Sequence, residues 1–323
     1  MRKGVLLFNL GGPENLNEVR PFLYNLFSDP EIIRIRSNSL RKSLAWLIAS
    51  VRQKKSRNLY RQIGGSSPLR RITEAQAAAL EDELKSRGSP ARVYLGMRCW
   101  KPSIDEAANM ILNDRIDRLV LLPLFPQYSV TTTGSCLKHF SDLDRSLRLS
   151  NSMKIATIQA WFDEPLYIEL MTDLIREGLA RFSQNDTDIC LLYSAHSIPA
   201  RYVEQGDPYL EQTKKFVELI NSRLGNSYRS ELAFQSKIGP VKWLGPSTHE
   251  VLSGMGEKGI KKVLVIPTSF VSDHIETLQE IDIAYKRIAA KSGIEEFYRS
   301  ESPNLRPEFI NALAQIALDR GRL

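Results

Sequence analysis

Apolar residues in this chain come in short unbroken blocks rather than in alternation. The blocks are GVLLFNL (4–10), RVYLGM (92–97), RLVLLPLF (118–125), KIATIQ (154–159), DICLLYSAH (188–196), ELAFQS (231–236) and KKVLVIPTSF (261–270). Most are continuously apolar rather than alternating, which is the pattern of strands buried on both faces of a parallel sheet. Between them the apolar positions recur at helical spacing. TEAQAAALEDELKSRG (73–88) opens on Thr73 and closes on Gly88. EPLYIELMTDLIREGLARF (164–182) reads as another helix, and RPEFINALAQIALDRG (306–321) as the last. This alternation predicts βαβ units with right-handed crossovers. Counting strands on either side of RLSNSMK (148–154) divides the chain into two doubly wound α/β halves that meet near residue 150.

Open sheets of this kind bind ligands beyond the carboxyl ends of their strands. The segments found there are NLGGPE, MRCWKP, PLFPQYS, SAHSIP and VSDHIE, rich in Gly, Pro, aromatic and titratable residues. They predict one cleft lined by loops from both halves. NLGGPE matches neither phosphate-loop fingerprint, so Gly11 and Gly12 are expected to let the backbone turn and approach a ligand closely. His196 ends a buried strand between Ser194 and Ser197, without the GxSxG of a serine hydrolase. Such an imidazole serves either as a satisfied structural group or as a base or ligand.

FVSDHIETLQEID (270–282) loads another strand exit with Asp273, His274, Glu276, Glu280 and Asp282. Asp273 and Glu276 have the spacing of a capping box. On an α-helix Asp273, Glu276 and Glu280 would share one stripe, where like charges repel. Either the stripe is a solvated acidic face, or a passing cation relieves the repulsion. Hard oxygen ligands with an imidazole nearby suit transient binding of a divalent first-row metal.

Composition narrows the field only modestly. Hydrophobic residues make up 42% and charged residues 25%, with net charge +7 and pI about 9.2. Cys99, Cys136 and Cys190 lie far apart and form no CxxC, which argues against a disulfide framework, a zinc ribbon or a cysteine-bound cluster. The N-terminal apolar run is too short for a signal peptide, and no window has the roughly 20 apolar residues of a membrane span. A cytosolic protein is expected. One segment departs from that picture: Leu40, Leu44, Leu47 and Val51 fall at helical spacing beside Trp46 and Ile48, followed by Arg52, Lys54, Lys55, Arg57 and Arg61. It fits a membrane surface and an ordinary surface helix equally well.

LLFNLGGPEN, YRQIGGSSPL (60–69), PLFPQYSVTTTGS (123–135), YSAHSIP, GDPY (206–209), FQSKIGPVKWLGPST (234–248) and FVSDHIETLQEIDIAY (270–285) together resemble the ferrochelatase family over nearly the whole chain. The resemblance implies insertion of ferrous iron into protoporphyrin IX, with nucleic acid playing no part. It implies two Rossmann-like domains, residues 1–150 with a returning 303–323, and residues 151–302. His196 and Glu276 would be catalytic, and Asp273, His274 and Glu280 would join them in handling metal. Leu10, Tyr60, Ser67, Arg98, Phe125 and Trp243 would hold the porphyrin. The imidazole and the acidic row would face each other across a slot wide enough for the flat ring.

Animal members of the family have methionine where Leu10 stands and tyrosine where Cys99 stands. They also have a cysteine-rich extension that holds an iron–sulfur cluster. With no cysteine after Cys190, no cluster and no cofactor beyond the iron substrate is expected here. Coproporphyrin, a cobalt or nickel chelatase of another tetrapyrrole, and a haem carrier are the competing readings. Monomer and homodimer both stay open.

Overall fold

The computed structural model describes residues 1–183, 188–237, 239 and 241–323. Ile238 and Pro240 of the FQSKIGPVKWLGPST stretch lie outside the described residues. The chain forms two compact units, Met1–Trp161 with Leu305–Leu323, and Phe162–Asn304.

The first unit holds β1 (Lys3–Asn9), β2 (Ala91–Met97), β3 (Arg118–Pro123) and β4 (Lys154–Thr157), all parallel in the order β2-β1-β3-β4. The second holds β5 (Ile189–His196), β6 (Arg229–Gln235), β7 (Lys262–Pro267) and β8 (Glu296–Arg299), parallel in the order β6-β5-β7-β8. The two sheets thus share one topology, although no sequence repeat announces it. In each, the chain leaves the first strand toward one side and returns on the other. This puts a switch point between β1 and β3 and another between β5 and β7, where diverging loops open a crevice.

The seam falls later than residue 150. KIATIQ belongs to the first sheet, because β4 pairs with β3 from Arg118↔Lys154 to Leu121↔Thr157. Trp161 then anchors this unit, its Nε1–H donating to the Pro123 carbonyl at 2.8 Å and its ring 6.2 Å from Phe309. The helix Pro307–Asp319 packs in the same unit, where Arg87 donates to Gln315 at 2.9 Å. β8 is absent from the sequence reading because EFYR is short and mostly half-buried, with no continuous apolar run.

Thr73 does not start its helix. The helix runs Leu69–Ser86, and the buried Thr73 hydroxyl satisfies itself on the Leu69 carbonyl at 2.7 Å. Buried apolar residues fill each unit, Leu6, Phe8, Leu119 and Leu121 in the first and Cys190, Leu192, Val263 and Val265 in the second. Both units also depart from α-helical geometry at the same place, the connection after the third strand. Val130–Gly134 and Glu276–Tyr285 are π-helical, with hydrogen bonds running five residues along instead of four.

Candidate active site

In the second unit, β5 delivers His196 to the switch point, and the loop after β7 brings Glu276 back to meet it. His196 Nδ1 and Glu276 Oε2 are 2.8 Å apart. The pair is open enough to meet a substrate, with side-chain exposures of 35% and 22%. This corrects the expected slot, since a direct hydrogen bond leaves no room for a macrocycle between imidazole and acid. His274 adds a second ring behind Glu276, its Nε2 3.9 Å from Oε2. Phe270 spaces the imidazoles, its ring 6.1 Å from that of His196 and 4.3 Å from that of His274.

The electrostatics follow from burial and neighbours. Burial alone would lower the His196 basicity, but the charge and hydrogen bond of Glu276, with Glu280 behind, outweigh it and raise it. Burial would likewise raise the Glu276 carboxyl, yet His196 holds it well below the usual carboxylate range. Glu280 moves the other way, raised by burial and by the Glu276 charge. His274 is pushed toward its neutral form by burial. A basic imidazole, an ionised acid and a second acid inclined to hold a proton therefore form a graded proton path.

Asp273 is not part of that path. It precedes the helix and makes no capping box, because the Glu276 side chain turns to His196 instead. Its oxygens accept from Thr277 at 3.0 Å, Ser302 at 2.9 Å and Asn304 at 2.9 Å, and pair with Arg299 at 3.1 Å. Arg299 in turn grips Asp282 through two bonds of 2.8 and 2.9 Å. The acidic stripe thus splits by role, Asp273 and Asp282 holding β8 through Arg299 while Glu276 and Glu280 face the imidazole.

Glu280 is itself engaged, accepting from Tyr285 at 2.8 Å, from the Ser236 backbone at 3.1 Å and from the Ser236 hydroxyl. No three of His, Cys, Asp and Glu among the described residues are grouped so as to hold a metal ion. The five expected metal ligands do not converge on one point.

Gln235, Ser236 and Tyr285 were missed from sequence; their signal is position, at the exit of β6 and one turn beyond Glu280. Ser194 and Ser197, fully buried, are structural: Ser194 donates to Gln235 at 2.6 Å and Ser197 to the Leu244 carbonyl at 3.1 Å. Trp243 lies across from the His196 exit loop, bridged to Pro199 and flanked by bonds from Ala200 to Lys242 and from Leu244 to Ile198.

The remaining porphyrin candidates sit in the first unit. Arg98 and Cys99 follow β2, their backbone amides bonded to the carbonyls of Asn9 and Leu10 at 2.8 and 2.9 Å. Leu10 and Arg98 are thereby neighbours. The Arg98 guanidinium contacts the fully buried Asp29 carboxylate at 3.2 Å and donates to Ser135 at 2.7 Å. Phe125 packs on the cluster around Phe8 and Phe140, and Tyr60 is buried at the end of the helix Asn38–Arg61.

A side chain on Gly11 or Gly12 would meet protein atoms. Gly11 has φ +89°, and a Cβ there would lie 2.6 Å from the Trp100 Cβ. A Cβ on Gly12 would lie 2.7 Å from the Ser67 Oγ, so Ser67 is packed against this turn.

A family model described as Ferrochelatase matches residues 2–320. The chain belongs to the ferrochelatase family. It is an enzyme of the metal-chelatase lyase class, with a porphyrin and iron as substrates. It is 49% identical over 319 residues to the ferrochelatase of Gloeothece citriformis, covering 98% of this chain and 82% of that protein. To the ferrochelatase of Gloeobacter violaceus it is 47% identical over 320 residues, covering 98% and 97%. Among solved structures it is similar to SirB from Bacillus subtilis with Fe3+, with TM-score 0.58 at 13% identity, covering 99% and 96%. It is also similar to DR2241 from Deinococcus radiodurans, a multi-domain protein with structural similarity to chelatases. There the TM-score is 0.53 at 13% identity, covering 100% of this chain and 56% of that one. At such identity these two bear on the fold alone, which they place with the chelatases.

Proposed function

We propose that this chain inserts Fe2+ into protoporphyrin IX, with His196 as the base and Glu276 as its partner. The observation that carries the assignment of roles is their 2.8 Å hydrogen bond at the β5/β7 switch point. Metal insertion replaces two pyrrole N–H protons with one dication, and no electron moves. The ring nitrogens are weak acids, so a base must meet the protons as the metal arrives. Nδ1 of His196 is committed to Glu276, which leaves Nε2 for the substrate proton. The ring lies beside the pair, not between its members. Protons move on from His196 through Glu276 toward Glu280, whose burial favours its acid form. General-base help of this kind is worth about 10²–10⁴-fold.

Leu10, Tyr60, Ser67, Arg98, Phe125 and Trp243 are proposed to hold the macrocycle, and Arg52 joins them. Burial lowers the Arg52 basicity and its buried Nε has no hydrogen-bond partner, an arrangement that an anionic propionate would relieve. His274 assists iron beside Glu276, while Asp273 keeps its structural partners. Iron is the substrate, and no further cofactor takes part; burial holds the Cys99 and Cys190 thiols protonated, pushed up to about 12 and about 11.

The helix Asn38–Arg61 turns small residues, Ala45 and Ala49, inward and leaves Trp46, Leu47 and Val51 exposed at 56%, 53% and 72%. No described helix is long and apolar enough to cross a membrane. We assign this stripe, with Lys54 and Lys55, to peripheral contact with an anionic bilayer.

Purified protein mixed with protoporphyrin IX and anaerobic Fe2+, or Zn2+ in its place, should quench free-base fluorescence with multiple turnovers. Failure to turn over, or a clear preference for coproporphyrin in competition, would overturn the substrate assignment.

A further inference from the structure

The GDPY motif has no part in the chemistry so far, and its tyrosine reaches the base from behind. Tyr209 begins the helix Tyr209–Arg223 and is 5% exposed. Its hydroxyl donates to the His196 carbonyl at 2.8 Å and lies 2.6 Å from the Ser269 Oγ. Ser269 Oγ accepts the His196 backbone N–H at 3.2 Å. Because the single phenolic proton goes to a carbonyl, which can only accept, the Tyr209–Ser269 proton must come from Ser269. The bonds then close a ring with each donor used once: His196 N–H to Ser269, Ser269 O–H to Tyr209, Tyr209 O–H to His196 C=O.

The strand explains why such a ring is needed. On the β6 side His196 stays in the ladder, opposite Gln235. On the β7 side pairing stops at Ser194↔Pro267, followed only by the Thr268 amide to the Ser194 carbonyl at 3.1 Å. The backbone groups of His196 therefore emerge past the end of β7 with no strand to take them. The peptide after His196 is then held on the β6 side alone, where the Ser197 amide donates to the Gln235 carbonyl at 2.9 Å, and its β7 side needs a substitute partner.

We propose that Tyr209 and Ser269 are positioning residues that stand in for the missing strand and fix the direction in which His196 presents its imidazole. Neither touches substrate; both act through the His196 peptide. This rests on His196 being the base proposed above. A displacement on the ångström scale at a reacting group can cost up to about 10²-fold in rate.

The test compares wild type with Tyr209→Phe and Ser269→Ala in Zn2+ insertion into protoporphyrin IX, with porphyrin affinity measured by fluorescence and the His196 Nδ1 proton followed by NMR. Tyr209→Phe should lower kcat roughly ten- to hundredfold while KM for porphyrin and for metal stay within about twofold. The double variant should lose no more than the worse single one, because the ring acts as a unit. The Nδ1 resonance should shift or broaden in both single variants. Ser269→Ala removes one oxygen and serves if the Phe variant does not fold.

Wild-type kcat in both variants, or a matching loss of porphyrin affinity, would overturn the inference. If the wild type inserts no metal, the base assignment fails; an unmoved Nδ1 resonance would then also sink the clamp, and a displaced one would leave its positional part standing.

Discussion

The two units build the same four-strand order, and each places a π-helical segment after its third strand, yet they load that frame with opposite chemistry. In the first, the segments after β1 and β3 carry Gly11, Gly12, Ser129, Thr131 and Thr133, and the loop after β2 carries an arginine whose charge is balanced by buried Asp29. In the second they carry two imidazoles and two carboxylates. The frame decides where a site can be, and loop side chains decide what it does. The first unit presents a cation already balanced by an acid; the second presents groups able to exchange protons.

Breaking the second unit's chemistry should have the largest effect. His196→Ala and Glu276→Gln should each cut metal insertion by about 10²–10⁴-fold while porphyrin binding, followed by fluorescence, persists. Near-normal turnover in either variant would erase the contrast between the units. The first unit should respond through stability instead. Arg98→Ala leaves the buried Asp29 carboxylate its Ser135 hydroxyl and Glu31 amide but no counter-charge, and should cost about 3 kcal/mol in denaturant unfolding, part of it recovered in the Arg98→Ala/Asp29→Ala double variant.

Asp273 sharpens the division within the second unit. Asp273→Asn should lower stability by about 1–2 kcal/mol and affect turnover far less than Glu276→Gln. Burial works to raise the Asp273 carboxyl, but Arg299, Asn304, Ser302 and Thr277 hold it below its ordinary 3.8. A depressed value stabilises the fold above the ordinary one and ceases to as pH falls through the depressed one. The stability gap between wild type and variant should therefore be full near neutrality and shrink in acid below 3.8. A gap independent of pH in thermal melts would place Asp273 outside an ionic role.

The smallest effect is a shift in pH profile. His196 must be neutral to accept a proton, and its basicity is raised above the ordinary 6.5. Activity should fall as pH drops through that raised value. Glu280→Gln removes one of the charges responsible, so the acid limb of kcat should move to lower pH by a few tenths of a unit. Movement to higher pH would contradict the proposed coupling.

Most of the frame was legible because most of its buried parallel strands carry continuous apolar runs, and seven of the eight strands were readable from sequence. EFYR escaped because an edge strand held by Arg299 and its two aspartates needs no such run. His196 and Glu276 were legible as strand-exit residues, but their mutual distance was not. Sequence marks where each strand ends and says little about how far a loop folds back. The α-helical stripe drawn through Asp273, Glu276 and Glu280 failed for a related reason, because the segment opens outside the helix and continues with π geometry. Hydroxyl partners such as Tyr209 and Ser269 leave no pattern in one dimension at all.

The widened helix Glu276–Tyr285 holds more residues per turn than the α-helix its sequence could otherwise form. Losing one residue from it would let the backbone relax into the commoner form while the core side chains Ile281 and Tyr285 found new seats nearby. The same loss would rotate Glu280 out of line with Glu276. A one-codon deletion is thus a short evolutionary road from a working chelatase to a stable, inactive descendant with the same fold.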